Sequence, residues 1–464
     1  MMAFFYPELD PPVRYAAGIT LWMSVWWISE SVPLAVTALL PLVLFPLCGI
    51  LKLKDVSATY GSEVVFLFLS GFLFGRAIER WNLHRRIALR MIGWFGRNPG
   101  GVVLGFMAAT AFISMWISNT ATAVMMTPVA IAVASQDSGG ASEDRQIRNF
   151  QRALMLGIAY ACSIGGMATI VGTPTNAIFV GYVEEKMRFT ISFWKWFQFA
   201  FPLSLALLLL CWLMLMWMFP TRKGVLSACD EDFRPASERA LTPLSVPEKR
   251  LIILFGAVIL SWLSGGLLWY SYLPPVNDTI VALIGAILLF LIPSGAKPTT
   301  QGETLMDWPA AMGIPWRVLI FFGGGLALAK GFEDSGLAAW IGNWMNGLSN
   351  LPAALTLLVI LIIVVILSEI ASNIATISIM LPILAALSGV IGADTLGLLF
   401  SAGLAASIGF GLPIATAPNT IVFSAGYLRV RDMTKAGFLL DLIAILLLMA
   451  FIYTLLPVFW GINL

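Results

Sequence analysis

One stretch of this chain is written twice inside apolar sequence, and no other feature constrains the fold as much. Ser114-Met-Trp-Ile-Ser-Asn-Thr-Ala-Thr-Ala-Val-Met-Met-Thr-Pro128 returns as Ser368-Glu-Ile-Ala-Ser-Asn-Ile-Ala-Thr-Ile-Ser-Ile-Met-Leu-Pro382. A shift of 254 superposes Ser114 on Ser368, Ser118 on Ser372, Asn119 on Asn373, Ala121 on Ala375, Thr122 on Thr376, Met126 on Met380 and Pro128 on Pro382. These seven identities in fifteen positions exceed the roughly one that average composition gives. Hydrocarbon offers hydroxyl and amide groups no partners, so each cluster must face protein, water or a ligand. A single copy would read equally well as a small-residue packing face. Two copies in corresponding places, each ending at a proline, favour a binding site at a repeat interface.

Composition makes the surroundings a membrane. Of 464 residues 59% are hydrophobic and only 11% charged, about half the charge of a soluble protein. The 17 Trp and 30 Phe suit lipid faces and interfacial belts. A net charge of +2, with no basic stretch interleaved with aromatics, gives nothing for nucleic acid. His84 is the sole histidine, which removes H-E-x-x-H and bis-histidine haem chemistry. Cys48, Cys162, Cys211 and Cys229 lack metal-ligand spacing. No cleavable signal peptide is expected ahead of the first span.

The predicted fold is an all-α polytopic membrane bundle. A proline-bearing lead, 1–12, precedes spans near 13–33 and 34–52, joined by a turn at Glu30-Ser-Val-Pro33, and a third from Ser62 that ends in Arg80, His84, Arg85, Arg86 and Arg90. Residues 101–134 are apolar but interrupted by Ser118-Asn119-Thr120, giving half-helices too short to cross about 30 Å of hydrocarbon, hence a re-entrant hairpin. A broken helix follows at 153–182, unwound at Gly172-Thr-Pro-Thr-Asn176, where Pro174 removes a backbone donor. A fifth span covers 196–219, and a polar linker, 220–249, separates residues 1–219 from 250–464. The second half repeats the plan: spans at 250–272, 278–294 and 316–345, a hairpin at 354–388, a broken helix at 393–428 interrupted at Ala415-Thr-Ala-Pro-Asn419, and a span at 434–460. The shift of 254 also carries Gly71 to Gly325 and Glu79 to Glu333, and falls to 243 after the hairpin. Five spans per half is an odd number, so the second repeat must be inverted. Placing the basic end of the third span in the cytoplasm puts 20 of the 27 Lys and Arg inside, as the positive-inside rule requires.

In that topology the two hairpin tips meet near mid-membrane. The helices leaving the tips aim positive ends and free N–H groups at that point, so a small anion is expected. The unwound segments at Gly172 and Ala415 offer carbonyl oxygens, which with hydroxyl and amide oxygens suit sodium. Glu369 and Asp441 leave a proton relay open. Phe322-Gly-Gly-Gly325 lacks the Gly-Lys-[Ser/Thr] ending of a phosphate loop and reads as close helix packing. Lys330 reads as a snorkelling lysine.

Over essentially its whole length the sequence resembles the divalent anion/sodium symporter family, the INDY-type dicarboxylate transporters. The resemblance is carried by Ser118-Asn119-Thr120, Ser372-Asn373, Gly172-Thr-Pro-Thr-Asn176 and Ala415-Thr-Ala-Pro-Asn419. It implies a homodimer in the cytoplasmic membrane, a transport domain that moves like an elevator, and no enzymatic activity. It implies one sodium at Ser114, Ser118, Asn119 and Gly172 and a second at Ser368, Ala371, Asn373 and Ala415. The dicarboxylate would touch Ser118, Asn119, Thr120, Ser372, Asn373, Thr416 and Ala417. The sequence departs from the family pattern at Ile374, which supplies no hydroxyl, at Ala417, and at Thr175, where prolines are usual. The resemblance also implies that the first span here corresponds to the family's second. The expected activity is sodium-coupled symport of a C4-dicarboxylate such as succinate, malate or fumarate. An exchanger, a sulfate or citrate carrier on the same fold, an anion channel and a membrane-embedded enzyme are the alternatives.

Overall fold

The computed structural model describes residues 10–29, 31–95, 98–134, 141–221, 243–265, 268, 272, 276–296, 304–344, 352–391 and 394–462. Most of the linker, 222–242, together with Glu30, Arg97 and Lys297, lies outside them. Among the described residues the regular structure is helical, apart from one isolated bridge between Pro293 and Thr304.

The first helix, Pro11–Ser29, opens on two prolines, whose missing N–H groups cost nothing in a first turn. A single second span over 34–52 does not form. The chain makes two short helices there, Leu34–Thr37 and Leu40–Leu47, and then Leu53–Thr59. Pro41 supplies no N–H and crowds the carbonyl one turn back, which interrupts the helix at Ala38 and Leu39. These short pieces pack on Trp316–Asp334. The glycine run in that helix makes the approach possible. A Cβ at Gly323 would fall 2.2 Å from the Tyr60 ring, one at Gly324 2.4 Å from the Ala38 oxygen, and one at Gly331 2.4 Å from the Phe45 ring. Thr59 Oγ1 donates to the Gly323 carbonyl at 2.9 Å, and the Tyr60 hydroxyl donates to that of Ala38. The Phe322–Gly325 run therefore serves packing.

Helix Glu63–Arg80 turns into Leu83–Trp94 through Asn82, at φ 53°, and Trp316–Asp334 turns into Leu337–Trp344 through Gly336, at φ 80°. The left-handed region is open to Asn and Gly at low cost, and the two positions stand 254 apart. Four ion pairs each join two segments for which the charge count expects a common side. On the side of the basic cluster are Arg80 to Asp307 at 2.6 Å, Arg86 to Glu248 at 3.0 Å and Arg152 to Asp432 at 3.2 Å. On the other is Lys186 to Glu333. The hydrogen bond from Arg80 holds the Asp307 carboxyl below the usual carboxylate range. Lys330 lines an open cavity of about 430 Å³ with Glu184, Glu185, Arg188 and Asp334, so it sits among charges at a helix end.

By length and composition, four helical stretches among the described residues can cross a membrane: Leu53–Arg80, Phe193–Met218, Ala353–Ile370 and Val430–Thr454. The helices flanking the first Ser-Asn cluster, Pro99–Ser114 and Asn119–Ala134, have 16 residues each. At 1.5 Å per residue that is about 24 Å, short of the hydrocarbon thickness. Those flanking the second, Ala353–Ile370 and Asn373–Ile391, have 18 and 19 residues. At about 27–29 Å these two approach the hydrocarbon thickness.

Candidate functional site: two helix turns and two broken helices

Each Ser-Asn cluster occupies the turn between two helices that pack on one another, Pro99–Ser114 with Asn119–Ala134 and Ala353–Ile370 with Asn373–Ile391. Beside each turn a helix stops and restarts. Ala141–Met167 resumes as Pro174–Met187, and Thr395–Ala405 as Ala417–Ser424. The elements are exchanged between halves. Ala417–Ser424 packs on Asn119–Ala134 and Ala141–Met167, while Pro174–Met187 packs on Asn373–Ile391 and Thr395–Ala405. Residues far apart in sequence thus share one interior.

The first set gathers round Gly166. Ser114 is fully buried, and its Oγ lies 2.7 Å from both Asn119 Oδ1 and the Cys162 carbonyl oxygen. One hydroxyl proton can serve only one of these at a time. A Cβ at Gly166 would stand 2.5 Å from Asn119 Oδ1, and a Cβ at Gly172 2.5 Å from the Gly166 oxygen. Glycine at both places brings the amide, the broken segment and Ser114 together. Ser118 is half-buried, and its hydroxyl accepts from the Ala121 N–H at 3.3 Å, capping the outgoing helix.

The second set gathers round Gly409, which the shift of 243 pairs with Gly166. A Cβ there would lie 3.4 Å from the Ser368 carbonyl oxygen, 3.6 Å from Asn373 Oδ1 and 3.7 Å from the Ala415 Cβ. Ser368 is fully buried and donates to the Ala406 carbonyl at 2.8 Å. Asn373 Oδ1 is buried and meets no donor. An amide oxygen in that condition is costly unless something accepts its lone pairs. Oxygen donors of this kind, with neighbouring carbonyls, fit a hard monovalent cation. Ala371 is buried at the turn, and Ser372 is half-buried beside it.

The remaining anion candidates are less enclosed. Thr120 is exposed, on one helical stripe with Val124, Pro128 and Ala132. Thr416 Oγ1 accepts from the Asn419 N–H at 3.3 Å as the cap of its helix, and Ala417 next to it is exposed.

Four residues hold the broken segments, and sequence reasoning gave two of them no site role. Asn176, fully buried, turns its amide nitrogen to the carbonyls of Gly166 (3.1 Å), Met167 (3.4 Å) and Thr169 (2.8 Å). Asn419, also fully buried, does the same for Gly409 (3.3 Å) and Leu412 (3.0 Å). The signal was available: each Asn closely follows a proline in the first turn of a restarted helix inside an apolar run, and the two are 243 apart. Glu369 accepts from the N–H groups of Gly411 at 2.6 Å and Leu412 at 2.8 Å, and Asp441 from that of Phe410 at 3.2 Å. These two carboxylates serve as backbone clamps on the second broken segment.

A helical bundle whose interior is lined by helix turns, unwound segments and uncharged oxygen donors is the build of a secondary transporter. Residues 6–462 match the family model described as the sodium:sulfate symporter transmembrane region, and the chain belongs to this family of membrane transporters. It is 38% identical over 476 residues to the sodium-dependent dicarboxylate transporter SdcS of Staphylococcus aureus (strain USA300), covering 100% of this chain and 90% of that protein. It is 38% identical over 468 residues to the SdcS of Staphylococcus saprophyticus, with the same coverage. Two solved structures share the fold at low identity. The YdaH transporter of Alcanivorax borkumensis has a TM-score of 0.57 at 13% identity, covering 97% of this chain and 100% of that one. MtrF of Neisseria gonorrhoeae has a TM-score of 0.56 at 11% identity, covering 96% and 95%.

Proposed function

We propose that this protein is a sodium-coupled symporter of C4-dicarboxylates such as succinate, malate or fumarate, working as a homodimer in the cytoplasmic membrane. Residues 1–219 and 250–464 form two inverted repeats joined by the linker 220–249. The helix pairs over about 101–134 and 354–388 are re-entrant hairpins, and the helices over about 153–182 and 393–428 are broken at the site. One sodium is held by Ser114, Ser118, Asn119 and Gly172, the other by Ser368, Ala371, Asn373 and Ala415. The observation that carries the reading is the buried Asn373 Oδ1 without a donor, beside the Ser368 carbonyl and Ala415. Placing a cation there satisfies a lone pair that the protein leaves unmet.

The anion lies between the two turns, against Ser118, Asn119, Thr120, Ser372, Asn373, Thr416 and Ala417. The positive ends of Asn119–Ala134 and Asn373–Ile391 face one carboxylate each. No Lys or Arg is needed, because two bound sodium ions balance a dianion. Asn119 and Asn373 each serve a cation with Oδ1 and the substrate with Nδ2, which makes binding of the three species mutually dependent. The hairpins and broken helices move as one body past the remaining spans, in an elevator-type alternation of access. The test is uptake of labelled succinate into proteoliposomes with an inward sodium gradient. Accumulation that disappears when choline replaces sodium is expected, and accumulation indifferent to that replacement overturns the proposal.

A further inference from the structure

Thr175 and Ser407 stand on opposite halves of the chain, 232 residues apart, yet their hydroxyl oxygens are 2.6 Å from one another. Both side chains are buried, Thr175 fully. Thr173 Oγ1 lies 3.3 Å from Thr175 Oγ1 and extends the chain of hydroxyls. That extension departs from local habit. Thr173 and Thr416 are the corresponding residues that open Pro174–Met187 and Ala417–Ser424, but only Thr416 caps its helix by its side chain. The shift of 243 maps Thr175 to Pro418 and Ser407 to Ile164, and neither of those side chains can hydrogen-bond. The bridge therefore occurs once, and the repeated architecture does not require it.

Its neighbours on each side lead directly to the two oxygen sets. Asn176, next to Thr175, fastens the Gly166 carbonyl, and Gly166 abuts Asn119. Ala406, next to Ser407, accepts from Ser368, and Gly409, two residues on, abuts Asn373. A shift of either broken segment on binding a cation must pull on or relax this one contact.

We propose that the Thr175–Ser407 hydrogen bond is a positioning link that couples the two cation sets, so that filling one raises the affinity of the other. This rests on the sodium reading above. Coupling between sites ordinarily amounts to about fivefold or more in affinity. Buried hydroxyls left unpaired are costly, so the link stays closed unless a segment moves.

The test titrates purified full-length protein with sodium at constant ionic strength, choline making up the balance, and follows thermal unfolding and tryptophan fluorescence. Wild type, Thr175→Val, Ser407→Ala, the double variant and Thr175→Ser are compared. Thr175→Val keeps the shape and removes the hydroxyl. It should raise the sodium half-saturation roughly three- to tenfold and flatten the titration to a Hill slope of about one, alongside the modest fall in sodium-free unfolding temperature that one unpaired buried hydroxyl produces. Ser407→Ala should match it, the double variant should be no worse than either single, and Thr175→Ser should restore the slope. A Thr175→Val protein that keeps wild-type cooperativity, or singles whose effects add, overturns the coupling. A wild type that binds sodium without cooperativity also overturns the coupling and leaves the sodium reading standing. A wild type that does not respond to sodium overturns both.

Discussion

Two adjacent glycines allow folding and function to be separated by the same substitution. At Gly165 an added Cβ would lie 2.2 Å from the Ala111 carbonyl oxygen and 2.5 Å from its Cα. Backbone of a packed helix cannot retreat that far, so Gly165→Ala should fail to fold or to reach the membrane. At Gly166 the obstruction is instead the Asn119 side chain, with Oδ1 at 2.5 Å, Nδ2 at 3.1 Å and Cγ at 3.2 Å. An amide can swing away. Ordinary contact begins near 3.4 Å, so Oδ1 must move from 2.5 Å to that distance, a retreat of about 0.9 Å. The 2.7 Å contact with Ser114 Oγ then breaks, at a cost of about 1 kcal/mol. Alanine in place of glycine near a helix end returns up to about 1 kcal/mol of backbone preference, so the net change in stability is close to zero. The site suffers more, because a ligand oxygen displaced by most of an ångström leaves the coordination sphere of a small cation. Gly166→Ala should therefore express and melt like wild type, yet need at least about tenfold more sodium for half-maximal uptake, equivalent to ~1.4 kcal/mol. Detergent-solubilised melting curves and sodium titrations of proteoliposome uptake supply the two readouts. Gly166→Ala with wild-type sodium dependence would refute the placement of Asn119 in the first oxygen set.

Other substitutions probe neighbouring parts of the same picture. Asn119→Ala and Asn373→Ala should each abolish sodium-dependent uptake with normal expression; sodium-driven uptake surviving in either removes that amide from the site. Thr120→Val should weaken apparent succinate affinity by about tenfold if the exposed hydroxyl reaches the anion, and Ile374→Thr should tighten binding or widen the range of accepted anions. An unchanged half-saturation constant for Thr120→Val shows that this position does not read the substrate. Single cysteines at Ser142 or Thr221 should resist an impermeant thiol reagent in intact cells, and ready labelling would reverse the orientation.

The helical class, the pairing of the Ser-Asn clusters and the broken segments beside them were legible because each leaves a local mark: apolar runs, small polar residues within them, and Pro or Gly at an interruption. The single span expected over 34–52 fails at Pro41, which splits 34–47 into two short helices. Both breaks also begin upstream of 172–176 and 415–419, running over 168–173 and 406–416, while residues 174–176 and 417–419 already belong to the restarted helices. Gly409, Gly411 and Pro413 within the second had already signalled as much. What no local pattern could give is the partner of a buried carboxylate. Glu369 and Asp441 are 72 residues apart, and only the fold shows that both hold N–H groups of Phe410 to Leu412. The bridge from Thr175 to Ser407 is hidden for the same reason.

The exchange of elements between halves bears on how the protein is made. Asn119–Ala134 packs on Ala417–Ser424, which the ribosome delivers roughly 280 residues later. At about 5–20 residues per second, the first pair of helices waits on the order of 15–60 s for its partner. Throughout that interval Ser118 and Asn119 sit in a half-built assembly without the surface that finally encloses them. A truncated product, or the two halves expressed separately without meeting, leaves polar groups facing lipid and becomes a substrate for membrane quality control. Biogenesis of this transporter therefore depends on delaying commitment of its first half until Ala417–Ser424 has been inserted.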